Sequence, residues 1–468
     1  MTTKCVTISI LLLTGTLAAA QPGETVRRQL PPSTTARTEL VQALHHHASS
    51  ASVCTIEQPE QILLVDANLA VAANRQSPVW NVLWSGTPEV ALWAATLTVE
   101  IDGRLLTLAN ATATVQPFHD PIGHGQELQQ VWQSEGIEVV RELRVYDHLR
   151  AITIGGRIIN DSSRDIALGT VHNVSIDSAG VWQLGDAKEK PAAIYTQNHA
   201  LLRSLPFAEP AAMASAEQHY SSQGVLALAV RHPSAVLALG FIRAHEASPE
   251  IKAEYRMAKG GTRLSASSRF IGRLLKPKQT VELNRLYIAC DQNVFQVMEQ
   301  FGQAMADFSA QPVHTGPTGL WCSWYAHRMA MTEDKVLANA EVAARHFKPL
   351  GLEIMQLDHG WQRGDITGDW TANERFPHGL KWLTEQLRKR YGLKLGVWIA
   401  PTDVAATSEL YQKHADWMLK DESGNPKVNW KWYWKPNPDC FELDATNPAA
   451  AQYIADTFRD LSRQGVSY

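Results

Sequence analysis

Two apolar rhythms divide this chain, and the point where one replaces the other limits the folds open to it. From about Cys54 to Cys290 the rhythm has period two. Leu97, Val99 and Ile101 alternate with Thr96, Thr98 and Glu100, and Asp102-Gly103 closes the run with a turn signal. Similar runs cover Glu138 to Val145 and Ala151 to Ile159, and Val225 to Ala229 faces Val236 to Ile242 across His232-Pro233-Ser234. Many short strands with turn punctuation predict an antiparallel β-sandwich over residues 54–292. Phe295 to Phe308 then takes helical spacing and Gln311 to Pro317 reads as a linker, so residues 293–317 form a helix and a connection.

From residue 318 strands and helices alternate. GLWCSWY is followed by a helix that Thr332 opens, with Glu333 and Asp334 in its first turn and Val336, Leu337, Ala340, Ala344 and Phe347 along one face. LEIMQL makes a second strand, and Leu380, Leu383, Leu387 and Tyr391 line a second helix stopped by Gly392. LKLGVWI is a third strand. After a long excursion Asn447 caps, and Pro448 starts, a helix carrying Ile454, Phe458 and Leu461, and Val466-Ser467-Tyr468 begins another strand. This alternation predicts a parallel sheet of the (β/α)8 TIM-barrel kind. A whole barrel takes roughly 250 residues, whereas residues 318–468 supply 151. The expectation is therefore an incomplete barrel, either a fragment of a longer product or a half-barrel whose open edge needs a partner.

The N-terminus has the grammar of a secretory signal over residues 1–20: Lys4, an apolar run from Val6 to Leu17, and Ala18-Ala19-Ala20 before Gln21. That places the mature protein, secreted or periplasmic, in an exported compartment with no membrane span after cleavage. A polar stretch over 21–53 includes His45-His46-His47, read as solvated loop rather than metal site. Formal charge is −4, and no Lys/Arg run is interleaved with aromatics, which argues against nucleic acid as a partner. Cys54, Cys290, Cys322 and Cys440 are too scattered for a zinc site and read as mostly buried thiols, with one disulfide allowed in an oxidising compartment.

Chemistry gathers at strand ends. Asp358 directly follows an apolar strand, where an ionised carboxylate is costly to bury without partners, and it can accept sugar hydroxyls. His359 either binds a hydroxyl or satisfies a loop carbonyl. Ten of the 15 Trp lie beyond residue 320. Trp382 and Trp417 read as core. Trp324, Trp361 and Trp398 lie at or just past strand ends, where a barrel carries its site, and an indole offers an apolar face to sugar C–H groups and an N–H to a hydroxyl. Asp365, Asp369, Asp403, Asp439 and Asp444 read as loop, turn and cap residues.

Successive segments GLWCSWY, LDHGWQ, GDW with NERFPHGL, LGVWIAP, SELYQKHADWMLKDESGNPK and FELDATNPAAAQYI resemble the α-galactosidases of glycoside hydrolase family 36. The resemblance is dense over residues 319–468. Upstream it is one of layout, to that family's N-terminal β-supersandwich. It implies a retaining hydrolase releasing terminal α-galactose from oligosaccharides, without a cofactor, through two carboxylates roughly 5–5.5 Å apart. The family's galactose-binding aspartate falls on Asp358, with His359 where many relatives have a second aspartate, and its strand-end aromatics fall on Trp324, Tyr325 and Trp398. The family's nucleophile, in a Lys-x-Asp motif on the fourth strand, and its acid/base are expected beyond Tyr468, so no catalytic residue is assigned and the 468 residues alone are expected to be inactive. The rival readings are an α-N-acetylgalactosaminidase, a raffinose-synthase-like transglycosylase and a non-catalytic sugar-binding fragment.

Overall fold

The computed structural model describes residues 34–86, 89–177, 180–185, 191–196, 217–231, 234–256, 260–309, 319–421, 423–433 and 437–468. The leader, the His232-Pro233 turn, the Gln311 to Pro317 linker and Trp434 lie outside the described residues. The chain forms two compact units, Met1–Val313 and His314–Tyr468.

The first unit is built on two antiparallel sheets, of 11 and nine strands among the described residues. Alternation does the sorting: in Val90–Ile101, Leu97, Val99 and Ile101 are buried while Thr96, Thr98 and Glu100 are only partly so. Asp102 and Gly103 both take positive φ, 51° and 75°, as a two-residue hairpin turn demands, and the chain returns as Arg104–Leu105. Val225–Arg231 pairs with Ser234–Arg243, Arg231 opposite Ser234. Leu64, Trp80 and Leu264 from one sheet and Leu128, Leu143 and Leu228 from the other share one core. Helix Val294–Ser309 lies on the nine-stranded sheet at Gly240, where a Cβ would come within 2.2 Å of the Phe301 ring. That strand position can hold only glycine while Phe301 packs there.

One expectation for this unit is corrected. Thr34–His46 is a helix rather than loop, seating Leu40 and Ala43 on Leu63, Ala70 and Trp93 of the larger sheet, so His45 and His46 end a packed helix. The four cysteines among the described residues, in the two units together, are free thiols, Cys290 and Cys440 buried and Cys54 and Cys322 partly so. Of the three Asn-x-Ser/Thr sequences, Asn110 is exposed, whereas Asn160 and Asn173 are fully buried. Asn160 Nδ2 donates to the carbonyls of Arg164 and Leu275, both at 2.8 Å, and Asn173 Nδ2 to that of Asn284 at 2.9 Å.

In the second unit three strands form a parallel sheet in sequence order: β1 (Gly319–Cys322), β2 (Leu352–Leu357) and β3 (Lys394–Val397). Helix α1 (Glu333–His346) links β1 to β2, with Thr332 accepting from Lys335 N. It buries Val336, Ala340 and Ala343, whereas Phe347 is half exposed. Helix α2 (Gly379–Gln386) runs into a wider turn, Leu387–Tyr391, that ends at Gly392 with φ 61°. The excursion after β3 is a small antiparallel sheet of β4 (Asp403–Ala405), β5 (Val428–Lys431) and β6 (Asp439–Glu442), in the order β4-β6-β5. Asp403 and Asp439, read as loop or turn residues, are thus strand residues. Helix α3 (Pro448–Arg463) follows, with Asn447 Oδ1 accepting from Ala449 N. Val397 N donates to Tyr468 O at 2.9 Å and Ser467 N to Leu395 O at 3.0 Å, which lays the final residues beside β3 as a fourth strand would lie.

Candidate functional site

β2 delivers Asp358 to the C-terminal edge of the parallel sheet, and β1 holds it there. Asp358 N donates to Ser323 Oγ at 2.9 Å, Ser323 N donates to Gln356 O at 3.0 Å, and Cys322 Sγ donates to Asp358 Oδ2 at 3.4 Å. The other carboxylate oxygen accepts His359 N at 2.8 Å. A half-buried carboxylate is thus oriented by two donors, one from the end of β1 and one from the next residue, while its own backbone N–H is tied to Ser323: a fixed acceptor at a strand exit.

The loop behind it is clasped shut. Gly360 takes φ 112°, and a Cβ there would lie 2.7 Å from Met329 Cα, so only glycine makes this bend. Asn373 Nδ2 donates to the carbonyls of Gly360 at 2.9 Å and Gln362 at 3.0 Å, and Arg375 reaches both Gly360 O and the Asp365 carboxylate. Asp369 accepts Glu409 N at 2.8 Å and Leu410 N at 3.1 Å, capping the helix Glu409–His414. Asp444 makes a turn with Thr446 N at 2.9 Å.

His359 is buried at 3% exposure among indoles: its ring centroid lies 6.3 Å from Trp324, 5.3 Å from Trp398 and 4.8 Å from Trp432. Burial pulls its pKa below the ordinary histidine value, and Arg375 works in the same direction; Asp365, through its charge and its carbonyl, and Asp358 oppose them. The ring is therefore packed and neutral, a wall of the site.

Trp324 and Trp398 are half-buried beside this wall, and the Arg328 guanidinium lies 5.9 Å from the Trp324 ring. Tyr325, at 90% exposure, stands in solvent on the single turn Trp324–His327. Trp361 departs from the sequence expectation. It is 1% exposed, sits in the apolar core with Leu357 and Leu380, and spends its N–H on Trp398 O at 2.9 Å. Of the two tryptophans read as core, Trp382 stacks on His378 at 4.4 Å and Trp417 on His414 at 3.8 Å, both partly buried.

The geometry adds Cys322, Gln362, Arg375 and Trp432 to the residues read from sequence. Cys322 and Gln362 stand inside the segments GLWCSWY and LDHGWQ, two residues before Trp324 and three after His359, so proximity alone was the available signal. Trp432 comes from the loop beyond β5 and carried none.

The sequence profile of the Melibiase family matches residues 310–468, the unit that holds this site. That unit is similar to glycoside hydrolase family 36, the family of α-galactosidases. Alpha-galactosidase AgaA of Geobacillus stearothermophilus is 40% identical to this chain over 103 residues, 21% of this chain and 13% of the relative. Alpha-galactosidase 2 of Pediococcus pentosaceus is 31% identical over 155 residues, 31% of this chain and 20% of the relative. The crystal structure of AgaA superposes with a TM-score of 0.59 at 16% identity, covering 89% of this chain and 65% of AgaA. Variants of AgaA have been solved in complex with stachyose and with raffinose. The chain thus spans less than two thirds of the solved relative and shares its mixed, strand-rich fold.

Proposed function

We propose that the Asp358 rim binds the terminal galactose of an α-galactoside oligosaccharide, and that the chain is the N-terminal portion of a retaining α-galactosidase-like hydrolase. The observation that carries this reading is the oriented carboxylate of Asp358 at a parallel-strand exit, beside the half-buried indoles of Trp324 and Trp398. A carboxylate can accept two hydroxyls while an indole face covers the sugar's C–H groups. The stachyose and raffinose complexes of AgaA support an oligosaccharide of that class.

In this reading residues 54–292 are a β-supersandwich and residues 318–468 open a (β/α)8 barrel whose nucleophile and acid/base lie on chain beyond Tyr468. The leader places the protein in the periplasm or outside the cell. No cofactor enters a double displacement between two carboxylates.

The test is calorimetric titration of galactose and raffinose onto the protein and its Asp358→Ala variant. Loss of two charge-assisted hydrogen bonds, about 1.5–3 kcal/mol each, should weaken binding at least about a hundredfold. Equal affinity for the two proteins refutes the site. N-acetylgalactosamine titrated alongside separates the galactosidase reading from the α-N-acetylgalactosaminidase reading.

A further inference from the structure

We infer that Gln362 holds His359 as the uncharged Nε2–H imidazole, and that the pair is a positioning unit setting the indoles of Trp324, Trp398 and Trp432 beside Asp358. The argument starts at Gly360, whose N–H donates to Gln362 Oε1 at 3.0 Å. That bond decides which end of the amide faces the ring, and Gln362 Nε2 then lies 2.7 Å from His359 Nδ1. An amide NH2 only donates, so Nδ1 accepts and the ring proton sits on Nε2.

An imidazolium carries a proton on both nitrogens. Here it would press Nδ1–H against the Gln362 NH2, two donors sharing one contact. Turning the amide over relieves that clash only by taking the acceptor away from Gly360 N–H. Gln362 is itself fully buried, its carbonyl accepts from Asn373 at 3.0 Å, and its backbone bridges to Ala372, so the donor is fixed to the loop frame. The charged groups facing the ring are Asp358, Asp365 and Arg375. One shell further out are Arg328, over Trp324, and Asp403, which accepts Trp430 Nε1 at 2.7 Å. Both near carboxylates would draw a proton onto the ring, and the Gln362 donor opposes them. A neutral His359 leaves the Asp358 carboxylate free for hydroxyls, a consequence that rests on the sugar-site reading above.

The test uses the whole 468-residue protein with 15N-labelled histidine and its Gln362→Glu variant, which keeps an oxygen for Gly360 N–H and replaces the donor at Nδ1 by an acceptor. His359→Asn identifies the His359 resonances. In the parent protein the ring nitrogens should show the Nε2–H form, and in Gln362→Glu protonation should move up by about one to three pH units, the usual effect of an adjacent opposite charge. Quenching of tryptophan emission should follow the same midpoint. An Nδ1–H form in the parent, or one midpoint for both proteins, overturns the proposal. Galactose affinity measured across that range should break at the quenching midpoint in Gln362→Glu and stay flat in the parent. Binding that ignores the midpoint overturns the positioning half. Absence of galactose binding by the parent at every pH refutes the sugar site, while the resonances and the quenching still decide the state of the ring.

Discussion

Asp358 and Trp361 are three residues apart and meet opposite fates. The carboxylate ends at the rim on donors from His359 and from Cys322 on the adjoining strand, and its place at the strand exit was legible: an acidic residue following LEIMQL has few other places to go. Trp361 reads equally well as a sugar platform until its N–H is traced to the carbonyl of Trp398, 37 residues away. No local spacing reports such a pairing. His359 is intermediate. Its burial follows from three indoles that the fold collects from three separate segments. It also carries a pH prediction. The unfolded chain protonates this ring near pH 6.5, whereas the fold holds its pKa lower through burial. As pH falls below about 6.5 the unfolded state therefore gains a proton that the native state declines, and stability drops until the native ring charges too. Urea midpoints measured between about pH 7 and 5 should fall less steeply for His359→Asn than for the parent. Parallel slopes would show that the ring is protonated equally in both states.

Elements with local signals were the ones foreseen. The Asp102-Gly103 hairpin and the caps Thr332 and Asn447 each depend on a few adjacent residues, and each stands where its chemistry requires. The helix Thr34–His46 was missed because its buried face reduces to Leu40 and Ala43 among Ala, Thr and His. The sheet β4-β6-β5 was missed because strands of three or four residues, one pairing broken by a bulge, leave no alternation to count. The loop from Asp358 to Phe376 bends at three glycines of positive φ, of which Gly360 makes the closest approach to neighbouring backbone. Gly360→Ala should lose about 1–3 kcal/mol to backbone strain, and more to the Met329 contact. Gly379→Ala, at φ 75° with nothing within 4 Å of the added carbon, meets strain alone. Chemical denaturation should rank the two in that order, and the reverse order would show that the loop yields.

At the scale of the whole molecule, each compact unit carries one deeply buried thiol among the described residues. Cys290 is 3% exposed in the first unit and Cys440 fully buried in the second, and burial pushes both thiols up to about 11. Cys54 and Cys322 are half-buried. Iodoacetamide at neutral pH should therefore modify Cys54 and Cys322 in the native protein and spare the other two. In a urea series, pulsed labelling of Cys290 should track loss of the two-sheet unit, and labelling of Cys440 loss of the unit that holds Asp358. Rapid native labelling of Cys440 would contradict the packing of β6.

The buried asparagines of the two-sheet unit bear on where this chain can be made. Oligosaccharide transfer in a eukaryotic secretory pathway acts on chain that has not yet folded, so it would find all three acceptor sequences open. A glycan at 110 would hang outward harmlessly; one at 160 or 173 would have to occupy space filled by Leu275 or Asn284 and would jam the closing sheets. Bacterial expression, or removal of both buried acceptors through Ser162 and Ser175, avoids that hazard.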